Sequence, residues 1–200
     1  MPGRSSKFTS LALAVLAAVG LGGWGARAVA DPGSWQNHKT ELAYMGFTTT
    51  YSCDGLRSKL QLLLRQLGAR ADAKISTFGC DRGFGTPSRF ASATLEFATL
   101  QPASEAAADN GADAAGTAGA WRQVELAPHR PFGLEDGDCE LIEQFRDKVL
   151  PLFTTRAPQL RTQCVPHQDT GGDFSLQLQV FAPVAAAKAS SKPTAYRYLE

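Results

Sequence analysis

Two hundred residues with 20 basic and 19 acidic side chains give a formal net charge of +1, and 44% of the residues are apolar. That is enough apolar material for one domain-sized core, and so even a balance excludes wholesale binding to nucleic acid or an anionic membrane, which needs a broad basic excess. The average hides an asymmetry: residues 53–90 carry seven basic against three acidic side chains, a net +4, while residues 103–143 carry two against nine, a net −7.

Residues 1–30 read as a cleavable secretory signal peptide, with Arg4 and Lys7 ahead of an apolar run at 11–21 and Ala28-Val29-Ala30 as the cleavage site. The run is too short for a good transmembrane anchor. The mature chain is expected to start at Asp31, to hold no transmembrane segment, and to reside in the periplasm or outside the cell. Its four cysteines, all beyond the signal, predict two disulfides in that oxidising setting.

Residues 31–46, with Pro32, Gly33, Trp35, His38 and Tyr44, read as a polar N-terminal surface arm. A strand is expected over 47–52, with Ser52 or Asp54 capping the helix that follows. Leu56, Leu60, Leu63, Leu64 and Leu67 recur at helical spacing until Gly68 ends the run. Residues 73–80 return as a strand. A helix over 54–67 covers about 21 Å at its ordinary rise, and eight extended residues cover about 26 Å. Cys53 and Cys80 should therefore meet at one end of the sheet. They can bond if the flanking strands are neighbours or, with a strand inserted between them, if both sit in loops.

A Gly/Pro loop at 81–90 leads to a strand at 91–100, where Leu95 and Phe97 alternate with Thr94 and Glu96, and Pro102 closes the first unit, 47–102. Residues 103–120 read as a flexible linker. The second unit, 121–183, repeats the plan. Val124 and Leu126 mark a strand and 127–138 a longer loop. Leu141, Ile142, Phe145, Val149 and Leu152 mark a helix broken near Pro151. Residues 159–164 and 174–181 complete it as strands, and 184–200 read as a disordered tail. Cysteine separations of 27 and 25 residues in the two units suggest an internal repeat. The expected fold is α+β: two βαββ units in one mostly antiparallel sheet, two helices on one face, stapled by Cys53–Cys80 and Cys139–Cys164.

Chemistry is sparser. If the cysteines mark one upper end of the sheet, the loops leaving it carry Arg82, Phe84, Arg89 and Phe90, then His129, Arg130 and Phe132, then His167. Two of these loops share an R-x-F-G pattern, at Arg82 and at Arg130. Loops on a stapled scaffold are a usual place for binding. The residues with metal-ligand character, His129, His167, Asp136, Asp138 and Asp169, show no tight ligand spacing, so no metal and no cofactor are expected. Bonded cysteines are not nucleophiles, and no nucleophile-elbow, C-x-x-C or nucleotide-binding glycine pattern is present. The sequence thus points to a non-enzymatic exported binding protein for a protein, peptide or cell-envelope component. The alternative is a small periplasmic hydrolase or metal-binding enzyme that uses His129 and His167.

Overall fold

The computed structural model describes residues 30–47, 49–81, 86–103, 113–164 and 173–184. The expected signal peptide, Arg82, Phe84, His167, Asp169, the middle of the linker and the tail beyond Val184 lie outside the described residues. Six strands, β1 (Asp31–Met45), β2 (Lys74–Phe78), β3 (Phe90–Pro102), β4 (Asp113–Leu126), β5 (Thr155–Thr162) and β6 (Phe174–Pro183), form one antiparallel sheet in the order β2-β3-β1-β4-β6-β5. Helices α1 (Cys53–Gln66) and α2 (Cys139–Lys148) join β1 to β2 and β4 to β5. None of the described helices is long and apolar enough to cross a membrane.

Local chemistry sets both ends of α1. Ser52 Oγ accepts the Gly55 amide at 3.1 Å and satisfies one orphan N–H of the first turn. At the other end Gly68 takes the left-handed conformation, φ 82°. Its amide reaches Arg65 O and the Ala69 amide reaches Leu64 O, both at 3.0 Å, which closes the helix in a Schellman motif. Arg122 of β4 adds a guanidinium hydrogen bond to Gln66 O, a cation placed on the negative end of the helix dipole.

Both helices lie on one face of the sheet and share one core. Leu56, Leu60, Leu63 and Leu64 of α1 and Leu141, Ile142 and Phe145 of α2 pack with Leu42 and Tyr44 of β1, Leu95 and Phe97 of β3, Val124 and Leu126 of β4, and Phe174, Leu176, Leu178 and Val180 of β6. The alternation expected for β3 and β6 holds over most of each strand. It stops at Ala98–Leu100 and Phe181–Ala182, where both faces are buried.

On the helix-free face β1 and β4 carry similar local arrangements. Gly33 of β1 lies opposite Pro102 and Trp35 opposite Leu100, while Gly119 of β4 lies opposite Pro183 and Trp121 opposite Phe181. An added Cβ on Gly33 would run into Leu100, and one on Gly119 into the Phe181 ring, so neither strand tolerates a side chain there. Each tryptophan also has a guanidinium above it, Arg70 over Trp35 at 5.7 Å and Arg156 over Trp121 at 3.6 Å. The strands carrying the tryptophans pair with each other at the sheet centre, Asp31 opposite Gly119 and Gly33 opposite Thr117.

Several expectations are corrected. The surface arm at 31–46 is instead the long strand β1, hydrogen-bonded to β3 along most of its length and to β4 over its first residues. Its inward positions Gln36, His38 and Thr40 are polar, so apolar alternation begins only at Leu42. Residues 49–52 are not a strand but the connection into α1, and Tyr51 turns into the core. The last part of the linker, from Asp113, belongs to β4, which therefore starts before Trp121. Its Ala/Gly composition has little strand propensity of its own and is stabilised by pairing between β1 and β6.

The disulfides join Cys53 to Cys80 and Cys139 to Cys164, with Cα atoms 5.2 and 5.6 Å apart. They do not mark the ends of neighbouring strands, because β3 lies between β1 and β2. Cys53 and Cys139 open the two helices, while Cys80 and Cys164 lie just past β2 and β5. Each bridge thus ties a helix start to the end of an edge strand.

Candidate functional site

The antiparallel pairing of β1 with β4 bears on the expected single upper end. The two strands overlap only near their starts, so Met45 and Leu126 finish in opposite directions along the sheet. The candidate loops therefore leave from two strand ends that point in opposite directions, while residues 138–144 beyond the second loop bond back to Met45, Phe47 and Tyr51 beyond the first. The first holds Arg89 and Phe90, where the Gly46 amide donates to Arg89 O at 2.9 Å and Met45 lies opposite Phe90. The second holds His129, Arg130 and Phe132.

The first end is an apolar corner. Met45, Phe90 and Phe78 all project from the helix-free face, Phe90 directly across from Met45 and Phe78 across from Ser92, one alternate position along. They are 42%, 57% and 49% exposed, and Phe47, just beyond β1, is exposed as well. Three large side chains facing water from adjacent strands are unusual, because burying each is worth about 2 kcal/mol of transfer free energy. Arg89 is exposed beside them, and Arg57 Nη2 donates to Thr77 Oγ1 at 3.3 Å on the other face of β2. The sequence does not single out Met45 or Phe78, since it reads 31–46 as an arm and 73–80 as an ordinary strand, and it reads Phe47 only as the start of a strand over 47–52. The legible signal was the register, which sets three alternate positions side by side.

At the second end, Phe132 is 95% exposed on a tightly hydrogen-bonded turn. Ala127 and Arg130 exchange backbone hydrogen bonds at 2.8 and 2.9 Å, and the His129 amide reaches Leu134 O at 2.8 Å. His129 has φ 61°, and the Arg130–Pro131 peptide is cis. Leu134 is buried, and Lys59 Nζ donates to Gly133 O at 2.7 Å, so the turn is anchored to α1. His129 lies 3.9 Å from Asp136, and Arg130 lies 3.6 Å from Glu125, both exposed pairs. Among the described residues no three His, Cys, Asp or Glu side chains gather as metal ligands.

Between the two helix starts lies a buried polar cluster around Asp138, which the sequence offers only as a residue of metal-ligand character. Asp138 is fully buried. It accepts hydrogen bonds from the Tyr51 hydroxyl, from Lys59 Nζ at 2.7 Å and from the Glu135 amide at 2.7 Å. Burial, reinforced by the Asp138 carboxylate, raises the Tyr51 phenol far above its ordinary value. Tyr44 is raised too, by burial first and then by the Glu140 charge, and it donates to Thr49 O at 2.7 Å. Glu140 accepts the Phe47 amide at 2.8 Å. Every buried side-chain polar atom among the described residues has a partner. A phenol locked as a donor to a buried carboxylate joins the first half of the chain to the second; it has no proton to offer near neutrality.

A cleft of about 380 Å³ is lined by Asn37, His38, Lys39, Arg70, Asp72, Lys74 and Glu96. Its charges largely pair off: Lys39 with Glu96 at 2.8 Å and Arg70 with Asp72 at 2.9 Å, each hydrogen bond holding the carboxyl below its usual range. His38 Nε2 lies 2.8 Å from Thr99 Oγ1, which itself donates to Leu152 O at 3.0 Å, so Nε2–H of a neutral ring is the donor. Burial lowers the His38 pKa below its ordinary 6.5. The fold therefore favours the neutral ring, and its contribution, full above pH 6.5, is lost as pH falls through the lowered value. Urea midpoints measured between pH 7.5 and 5 should fall less for His38→Gln than for the unsubstituted chain. Parallel curves would show that His38 has no share in the acid dependence.

The chain matches no family model, none of the curated proteins and no solved structure.

Proposed function

We propose that this chain is an exported, non-enzymatic binding protein of the cell envelope or its surroundings that docks a protein partner through the Met45–Phe78–Phe90 corner. The observation that carries this reading is the corner itself: three exposed large apolar side chains on adjacent strands of a rigid sheet. Such a patch has a cost in water and a use at an interface. Two disulfides with no free cysteine among the described residues support an oxidising destination.

In the same reading the scaffold is a duplicated βαββ unit. A constant offset of 86 residues relates Gly33 to Gly119, Trp35 to Trp121 and Arg70 to Arg156, and the element order runs strand, helix, strand, strand in each half. The apolar corner belongs to one half only. At the same offset Pro131 and Gly133 stand in place of Met45 and Phe47, so the halves have divergent surfaces on a common frame.

Replacing Met45, Phe78 and Phe90 together by serine should leave the melting temperature within a few degrees of the parent, because exposed positions seldom contribute more than about 0.5 kcal/mol each. Capture of the partner from native envelope fractions should disappear. Undiminished capture would sink the assignment, and unfolding of the variant would show that the corner is core and not interface.

A further inference from the structure

We infer that the free edge of β2 accepts an extended peptide segment as a seventh strand, one that alternates apolar and acidic side chains. This rests on the docking role of the apolar corner and names its partner more closely.

The two edges of the sheet differ. The β5 edge is blunted, with a register shift between Arg156 and Gln159, Ala157 in the left-handed region at φ 48°, and Pro158, which has no amide to offer. These devices discourage strand addition. The β2 edge has none of them. Lys74–Phe78 pairs without interruption against Glu96–Ser92, contains no proline or glycine, and among the described residues its backbone bonds only to β3. A regular edge strand presents unpaired N–H and C=O groups along its outer side, the template for strand addition.

The side chains beside that edge specify the guest. On the helix-free face an added strand would lay alternate residues against Phe78, next to Phe90 and Met45, so that set is apolar. On the helix side its other residues would come beside Thr77, where Arg57 reaches in from α1. Arg57 is the cation on that side, bonded also to Asp54 at 2.7 Å, and residues 53–90 carry a net +4. An acidic set is the complement on that side. Main-chain hydrogen bonds would supply affinity, and the two faces would supply orientation.

The test uses the full mature chain with short synthetic peptides of alternating valine and glutamate, or valine and lysine, and a glutamate version N-methylated along one edge. Titration with amide hydrogen exchange as readout should show the glutamate peptide binding about tenfold more tightly than the lysine one. It should slow exchange at the β2 amides, and N-methylation should abolish both effects. Binding that perturbs Phe78 and Phe90 without slowing β2 exchange would overturn strand addition while leaving the apolar corner as a docking site. No binding by any peptide, or binding to anionic lipid vesicles in their place, would overturn the inference as well. If in addition the Met45, Phe78 and Phe90 variant captures partner normally, the docking role falls too.

Discussion

Asp138→Ala should lower the unfolding free energy by about 3–5 kcal/mol, the range for removing one partner of a buried, hydrogen-bonded ion pair. Lys59, mostly enclosed, would lose the carboxylate 2.7 Å away and keep only Gly133 O and the exposed Glu135 at 3.5 Å. The Tyr51 hydroxyl would lose its carboxylate acceptor, and the Glu135 amide would lose its cap. Domains of this size have only about 5–15 kcal/mol of stability in total, so the loss is a large share. Urea unfolding at unchanged slope measures it. Tyr51→Phe is the milder companion, expected at about 1–2 kcal/mol because one hydrogen bond to a charged group is removed while the ring stays. A loss below about 1 kcal/mol for Asp138→Ala would mean that the cluster is not what joins the halves.

The second large effect concerns the disulfides. Replacing both cysteines of either bridge with serine should cost about 3.5 kcal/mol, from the chain entropy that a closed loop of this size removes from the unfolded state. The two variants should resemble each other, since the bridges close separations of 27 and 25 residues. Thermal unfolding under non-reducing conditions gives the comparison. Peptide mapping without reduction should return Cys53 with Cys80 and Cys139 with Cys164. A bridge between the halves would contradict the fold. Each bridge fastens an edge strand to the start of a helix, so its loss should first loosen β2 or β5, which hydrogen exchange would locate.

Helices and late strands were legible because burial imposed their periods: the leucines of α1 every three to four residues, and Phe174, Leu176, Leu178 and Val180 on alternate positions of β6. The cysteine pairing followed from the reach of a helix and a returning strand, although the bonds turned out to lie beyond the strands. What the sequence hid is the sheet centre. In β1 the inward positions His38 and Thr40 are polar, and β4 begins in an Ala/Gly run. Pairing with neighbouring strands fixes them, whatever the local propensity. That omission hid the opposite directions of β1 and β4, from whose far ends the candidate loops leave. Phe90 and Phe132 were legible as exposed aromatics in Gly-rich loops; Met45 and Phe78 needed the register. Asp138 was visible only as a residue of metal-ligand character in an acidic loop, and nothing local signals that Tyr51, 87 residues away, closes on it.

The docking role of the Met45–Phe78–Phe90 corner is tested most directly by photocross-linking. A photoreactive phenylalanine analogue is placed at Phe90 in the full chain, and in parallel at Gln177, an exposed position on the same face of β6. Position 90 should give one discrete adduct with a protein partner in intact cells, lost when Met45 and Phe78 are changed to serine, and position 177 should give none. Equal adducts from both positions, or an adduct from 90 that survives those two substitutions, would contradict the account.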